Sequence, residues 1–262
     1  MEQLGKDYTD HKVFAQLSEF ADFYDSLAYN TMGFVSQGTE AIFNLNTYVF
    51  RSIKGTLDSI NKILSDRRIN DSYALLRKFY DSTIINVYTN LYLNDHFTLD
   101  NFIVEHIDNW IKGKQKIPGY REISNYIKDT EKLKPITNLL SKDKLYKDVR
   151  DRCNDHIHYN YYYNLMYNDN EIHLPNIIKA LDTFSKDLTA VFVQHFAYFF
   201  YLNDHYMMST DYIDNLDMGM TPEEDSQYWV APFIQEIFDK WIKPKRKDIA
   251  DEIKSKSLMK LE

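Results

Sequence analysis

The chain has 262 residues, of which 44% are hydrophobic, and it carries a formal net charge of −8. This much apolar sequence supports a packed core, so the composition excludes an intrinsically disordered chain. The negative charge argues against broad electrostatic adhesion to nucleic acid or anionic lipid, because such binding depends on neutralising phosphates.

The number of cysteines and the length of the apolar stretches bear on where in the cell the protein is found. Cys153 is the single cysteine, which excludes an intramolecular disulfide framework or a cysteine-rich zinc site and fits a reducing compartment. The N-terminal residues lack the basic start and apolar run of a signal peptide, and no stretch approaches the roughly 18 to 20 apolar residues that cross a bilayer. The sequence therefore predicts a cytoplasmic protein that has no membrane partner.

Apolar residues recur every three or four positions along most of the chain, and few glycines or prolines interrupt them. This spacing predicts helices over residues 11–29, 39–64, 70–93, 100–112, 142–158, 175–202 and 223–241. Residues near 160–174 alternate loosely about Asn168-Asp169-Asn170, which is typical of a short hairpin. The predicted fold class is all-α, an antiparallel bundle of long helices with one short β-hairpin near 160–174.

Charge is distributed unevenly and suggests an organisation along the chain. Residues 203–226 hold 7 acidic side chains and no Lys or Arg, whereas residues 110–152 hold 12 basic side chains against 6 acidic ones. We predict a helical bundle over 1–202, an acidic linker over 203–222 and a C-terminal helical extension over 223–262. The acidic stretch and the basic tail are candidate contacts for a regulatory protein partner.

Residues 147–160, with the sequence KDVRDRCNDHIHYN, are the densest group of reactive side chains. Imidazole exchanges protons near neutral pH, and guanidinium matches phosphate oxygens with a planar fork. On a helix Arg152 and His156, four residues apart, share a face. Arg150 and His156 are six apart, so they are rotated by about 120° and separated by about 9 Å along the axis. Only a flexible arginine or a second subunit would bring that second pair together.

Long antiparallel helices with an arginine, a polar neighbour and a histidine four to six residues further on resemble the HEPN superfamily of all-helical domains. Many HEPN domains are metal-independent ribonucleases of phage-defence and toxin systems. The matching residues are Arg150-Asp151 with His156, and Arg152 with His158 repeats the spacing. Residues 155–160 and 73–80 are also similar to abortive-infection proteins of this kind. The resemblance covers about residues 40–202, and Asp151 departs from the Asn or His that often follows the arginine.

The resemblance implies an endoribonuclease that uses neither metal nor cofactor and leaves 2′,3′-cyclic phosphate and 5′-hydroxyl ends. His156, or secondly His158, would act as general acid or base, and Arg150 or Arg152 would stabilise the charge on phosphorus. Asp155 would orient an imidazole. The residues expected to contact substrate are Asn160, Tyr159 and Arg77. HEPN enzymes commonly dimerise across one cleft, so the resemblance also implies a homodimer.

Other interpretations of the same residues stay open. In one of them, the charged side chains of 150–155 pair among themselves around one core histidine, and the chain is a non-catalytic helical module that binds RNA, nucleotide or protein. His156, His158 and Asp155 offer metal ligands if the chain is extended, which would suit a metal-dependent phosphoesterase. Arg77 and Asp81, four apart, form either a local ion pair or a contact to the reactive segment. The tyrosines at 159 and 161–163 either stack on bases or pack against helices.

Overall fold

The computed structural model describes residues 5–32, 42–98, 103–169 and 174–262. No strand is present in these ranges, and Met208 and Val230 form an isolated antiparallel bridge. The prediction of an all-α fold is therefore confirmed. None of the helices in the described part of the chain is both long and apolar enough to cross a membrane.

Thirteen α-helices are present in the described ranges. In chain order they are α1 Lys6–Thr9, α2 Lys12–Met32, α3 Leu45–Ser65, α4 Ile69–His96, α5 Glu105–Ile111, α6 Tyr120–Asp129, α7 Lys134–Leu140, α8 Leu145–Ile157, α9 Tyr162–Met166, α10 Ile177–Leu202, α11 Asp211–Asp217, α12 Pro232–Ile237 and α13 Lys247–Lys256. Short 3-10 turns cover Ile42–Asn44, Glu131–Leu133, Asp204–Met207 and Ser226–Tyr228, and a π-helical turn Phe238–Ile242 continues α12.

The chain divides into two compact units. The first contains residues 1–25, 49–83 and 143–192, and the second contains residues 26–48, 84–142 and 193–262. Helices α2, α3, α4 and α10 contribute residues to both units.

Aromatic side chains from four helices form the core of the first unit. The ring of Phe192 on α10 stacks on Phe20 of α2 with centroids 3.8 Å apart, and Tyr24 meets Phe192 edge-on at 5.8 Å. Tyr24 also lies 6.0 Å from both Phe50 of α3 and Phe79 of α4. Because large rings bury much apolar area in fixed geometries, this cluster holds the frame against which α8 packs.

The second unit includes the C-terminal residues 223–262. Phe196 on α10 contacts Phe238 of the π-helical turn at 6.3 Å. The guanidinium of Arg246 donates a hydrogen bond to the carbonyl of Leu139 at the end of α7, with a length of 2.7 Å. Helix α13 buries Ile249, Ala250 and Ile253, spaced as one face of a helix. Within the predicted acidic linker 203–222, the structure places the turn Asp204–Met207 and helix α11.

The predicted hairpin near 160–174 is wrong where the structure describes it. Residues Tyr162–Met166 form helix α9, and residues 170–173 lie outside the described part of the chain. Helix is favoured locally because Asn164 is buried and its side-chain amide donates to the carbonyl of Asp155 at 3.0 Å. A strand would turn successive side chains to opposite faces and carry Asn164 away from that partner.

Candidate functional site

Helix α8 carries the reactive segment and presents two different faces. Tyr146, Val149, Cys153 and His156 are buried at helical spacing, so this face packs into the first unit. The opposite face is solvated, and there Lys147 pairs with Asp151 at 2.9 Å. The segment is helical because its apolar residues recur with period 3.6 and no breaker intervenes.

His156 lies on the buried face of α8 and is held on two sides. Its Nδ1–H donates to the amide oxygen of Asn70 at the start of α4, over 2.8 Å. Its ring stacks on Tyr73 with centroids 4.0 Å apart and planes within 9°. Because an amide oxygen only accepts hydrogen bonds, the contact fixes the tautomer with the proton on Nδ1 and the lone pair on Nε2. No described residue makes a hydrogen bond to Nε2.

Burial lowers the pKa of His156 from 6.5 to about 4. The carboxylate of Asp155 opposes this shift, whereas the guanidinium of Arg152 adds to it. The side chain is only 6% exposed, so loss of hydration penalises the imidazolium. His156 is therefore neutral at pH 7, and a neutral imidazole with a free Nε2 lone pair can accept a proton.

Arg152 lies one turn before His156 and is fixed by a buried carboxylate. Its Nε and Nη2 donate to the two oxygens of Asp187 on α10 at 2.7 and 2.9 Å. The hydroxyl of Tyr73 donates to the same carboxylate at 3.1 Å. Asp187 is 2% exposed while Arg152 is 37% exposed, so the carboxylate is internal and part of the guanidinium faces solvent. The bidentate geometry holds the guanidinium plane in one orientation.

Arg77 on α4 contacts both its own helix and α8. Its Nε donates to Asp81 at 2.9 Å, which confirms the predicted local ion pair. Its Nη1 also donates to the side chain of Asn154 on α8. Arg77 therefore reaches the reactive segment as well, where it ties α4 to α8 two residues before His156.

The residues after α8 turn away from the buried face. His158 caps the helix end and is exposed. Asp155 accepts a hydrogen bond from the side chain of Asn160 at 2.7 Å, so these two predicted site residues are brought together. Tyr159 has a positive φ of 49°, a left-handed conformation that reverses the chain direction between Asp155 and Asn160.

Tyrosines follow this reversal at the surface. Tyr159, Tyr161, Tyr162 and Tyr163 are all exposed, and Tyr162 is exposed by 78%. Exposed aromatic rings in succession offer faces on which unpaired bases can stack. The Tyr163 ring is less available than the others, because it already contacts Tyr167 edge-on, with the ring centroids 5.0 Å apart.

Two further chemical questions about this site concern the Cys153 thiol and the grouping of metal-ligating side chains. Burial raises the pKa of the Cys153 thiol to about 12, so it stays protonated. Among the described residues, no three His, Cys, Asp or Glu side chains are grouped so that they could hold a metal ion. His173, the next imidazole after His158 along the chain, lies outside the described ranges.

The structure thus places Arg152 and His156 one helical turn apart on α8. The remaining predicted site residues differ from one another in burial and in hydrogen-bond partners. Arg150 is half-buried on α8, yet Arg152 is the arginine whose charge acts on His156. Sequence reasoning missed Asp187 and Asn70, which fix the two side chains. One sequence signal does mark Asp187, because it places a carboxylate on the apolar face that Phe184, Leu188 and Val191 form on α10.

Comparison with protein-family models, curated proteins and solved structures found no match to this chain.

Proposed function

We propose that the first unit is a metal-independent endoribonuclease of the HEPN type, acting in phage defence or in a toxin system, with its site at Arg152 and His156. The observation that carries the proposal is the anchored histidine. Asn70 and Tyr73 hold the neutral His156 ring, and the guanidinium of Arg152 is fixed one helical turn away. Cleavage of a phosphodiester requires a base that removes the proton of the nucleophile and a cation that stabilises the charge on the phosphate oxygens. His156 and Arg152 would supply these two groups.

The proposed reaction needs no metal ion, because side chains accept and supply the protons. Nε2 of His156 accepts the proton of an RNA 2′-hydroxyl, the 2′-oxygen bonds to phosphorus, and the bond from phosphorus to the 5′-oxygen breaks. The exposed His158 supplies a proton to that leaving oxygen. The products are a 2′,3′-cyclic phosphate and a 5′-hydroxyl. The solvent-facing N–H groups of Arg152 stabilise the charge that develops on the phosphate oxygens.

Arg152 and His156 share one face of α8, so the pair forms within a single chain. This removes the angular difficulty of Arg150 and His156, which had favoured a second subunit. The hydrogen bond between Asp155 and Asn160 stabilises the turn at Tyr159, and this turn positions the tyrosines that follow it. We infer that Tyr159, Tyr161 and Tyr162 stack on bases that flank the cleaved bond.

A second candidate function is RNA binding without cleavage. It is favoured by the burial of His156, whose side chain is only 6% exposed, together with the use of Arg152 by Asp187. In this case the exposed tyrosines hold single-stranded RNA, and the buried cluster is structural.

The test is cleavage of single-stranded RNA by the full chain in excess EDTA. We expect wild type to produce 2′,3′-cyclic phosphate ends, seen by mass spectrometry, and to leave 2′-O-methyl RNA intact because the nucleophile is blocked. His156→Gln should lower the cleavage rate at least about 100-fold, the size of a general-base contribution. His96→Gln is the matched control, since His96 is exposed at the end of α4 and the rate should not change.

His158→Gln alters an exposed side chain and so reports on catalysis without disturbing the core. Its cleavage rate should also fall, with RNA affinity unchanged. Equal rates for wild type and His156→Gln would contradict the assignment of the base. RNA binding with no cleavage by wild type would reject the nuclease and support the second candidate.

A further inference from the structure

The second unit contains a pocket of about 440 Å³. This size is within the range of sites that hold small organic molecules. Its lining combines apolar side chains, aromatic rings and side-chain amides, among them Leu45, Leu93, Phe97, Asn46, Asn94 and Asn203. Nothing in the proposed RNA cleavage uses these residues, so the inference that follows goes beyond that function.

The amides behind the pocket form a continuous buried network. Asn46 and Asn90 exchange hydrogen bonds of 3.0 and 2.8 Å, and Asn86 donates to Asn46 at 2.9 Å. The ring of His195 donates from Nε2 to the amide oxygen of Asn86 at 3.0 Å. Asn203 donates to Asn90 at 3.3 Å. Buried side chains that satisfy one another in this way are held rigidly, so the wall of the pocket is preorganised.

Two of the lining amides retain unused hydrogen-bonding capacity. The Nδ2 of Asn203 is engaged by Asn90 and by the carbonyl of Phe199, but no described residue donates to its Oδ1. Asn203 is only 7% exposed, and the pocket is the space that it lines. The side chain of Asn94 is exposed and makes no hydrogen bond with a described residue. A ligand can therefore find an acceptor and a complete carboxamide on this wall.

The electrostatics of the pocket select for an uncharged ligand. None of the described residues that line it is Lys, Arg, Asp or Glu. Burial lowers the pKa of His205, the lining imidazole, so this ring is neutral at pH 7. A phosphate or carboxylate placed here would lose hydration, and no lining residue carries a cation to pair with it, which is costly.

We propose that this pocket binds an uncharged nucleobase or nucleoside. Carboxamides match the adjacent donor and acceptor groups on the edge of a base, as asparagine does with adenine. Phe97 contributes an aromatic ring to the lining, and Leu45 and Leu93 contribute apolar area. A nucleobase is flat, carries hydrogen-bonding groups along its edges and has no charge. These three properties together distinguish it from sugars, fatty acids and nucleotides.

The test titrates adenosine, guanosine, cytidine and uridine separately into the full chain by calorimetry, with the 5′-monophosphate of each as the charged counterpart. We expect at least one nucleoside to bind, and to bind more tightly than its monophosphate. Asn94→Ala should weaken that binding at least tenfold, because the open carboxamide is lost. Asn125→Ala, an equivalent exposed change on α6 outside the pocket, should leave the affinity unchanged.

Asn203→Leu removes the open acceptor and should also weaken binding. If that buried change unfolds the protein, Asn94→Ala decides, because an exposed residue is replaced without disturbing the core. The proposal is overturned if no nucleoside binds at millimolar concentration, if Asn94→Ala binds as wild type does, or if the monophosphates bind more tightly than the nucleosides. RNA cleavage is measured independently, so failure here leaves the nuclease proposal untouched.

Discussion

Replacement of Arg152 by leucine is expected to lower the free energy of unfolding by about 3–5 kcal/mol, the cost of leaving a buried charge without its partner. Asp187 is 2% exposed and accepts two of its hydrogen bonds from Arg152. Without the guanidinium, only the Tyr73 hydroxyl, at 3.1 Å, still donates to that carboxylate. An ionised carboxylate in such a position has lost its water and keeps a single hydrogen bond in return.

Urea unfolding followed by far-UV circular dichroism measures the loss. Tryptophan fluorescence is unsuitable, because Trp110, Trp229 and Trp241 all belong to the second unit. Lys147→Leu is the matched control on the same helix. It breaks the exposed pair with Asp151 and should cost at most about 1 kcal/mol.

The double variant Arg152→Leu/Asp187→Leu should regain much of the stability that the single change loses, since no buried charge remains. Should Arg152→Leu prove too unstable to purify, Arg152→Lys keeps the charge and should show a smaller loss. A cost for Arg152→Leu no greater than that of Lys147→Leu would show that Asp187 does not depend on this partner.

The long helices were predictable because their apolar spacing is continuous. Ile53, Leu57, Ile60 and Leu64 on α3 are all fully buried, as their spacing indicates. The observed ends of α3 and α4, at Ser65 and Ile69, lie within one residue of the predicted ends at 64 and 70. Burial of one apolar face contributes most of the stability of these helices, so the local sequence is enough to predict them.

Helix α9 could not be predicted in the same way. Over five residues an alternating pattern and a helical pattern are almost indistinguishable, and tyrosines favour strands by intrinsic propensity. The outcome depends on Asn164, whose buried side chain hydrogen-bonds to the backbone of Asp155. That contact depends on how the chain reverses at Tyr159, which the pattern of apolar residues does not encode.

The candidate site was partly predictable for a related reason. Helical geometry alone places Arg152 and His156 on one face. Their partners Asp187 and Asn70 lie 35 and 86 residues away along the chain, on other helices. Which of the two arginines, Arg150 or Arg152, meets a buried carboxylate is therefore decided by tertiary packing. This is why the sequence motif left Arg150 and Arg152 as alternatives, whereas in the structure Arg152 is the one that pairs with Asp187.

Acid is expected to destabilise the protein through its buried histidines. Burial lowers the pKa of His156 from 6.5 to about 4 and that of His195 to about 3. Between about pH 6.5 and these lower values the unfolded state binds more protons than the folded state, so stability rises with pH there and is complete above about pH 6.5. Each histidine should therefore remove up to about 1.4 kcal/mol of stability per pH unit, with the steepest loss midway between its folded and unfolded pKa values.

Urea unfolding at intervals from pH 7.5 to 4.5 measures this slope. The difference between wild type and a variant isolates each histidine from the carboxylates that titrate in the same range. His156→Gln should flatten the slope seen by far-UV circular dichroism, and His195→Gln the slope seen by tryptophan fluorescence, which reports on the second unit. His96→Gln is the control for replacing a histidine at an exposed position. A His156→Gln profile parallel to that of wild type would mean that the folded protein accommodates the imidazolium, and the lowered pKa of His156 would then be wrong.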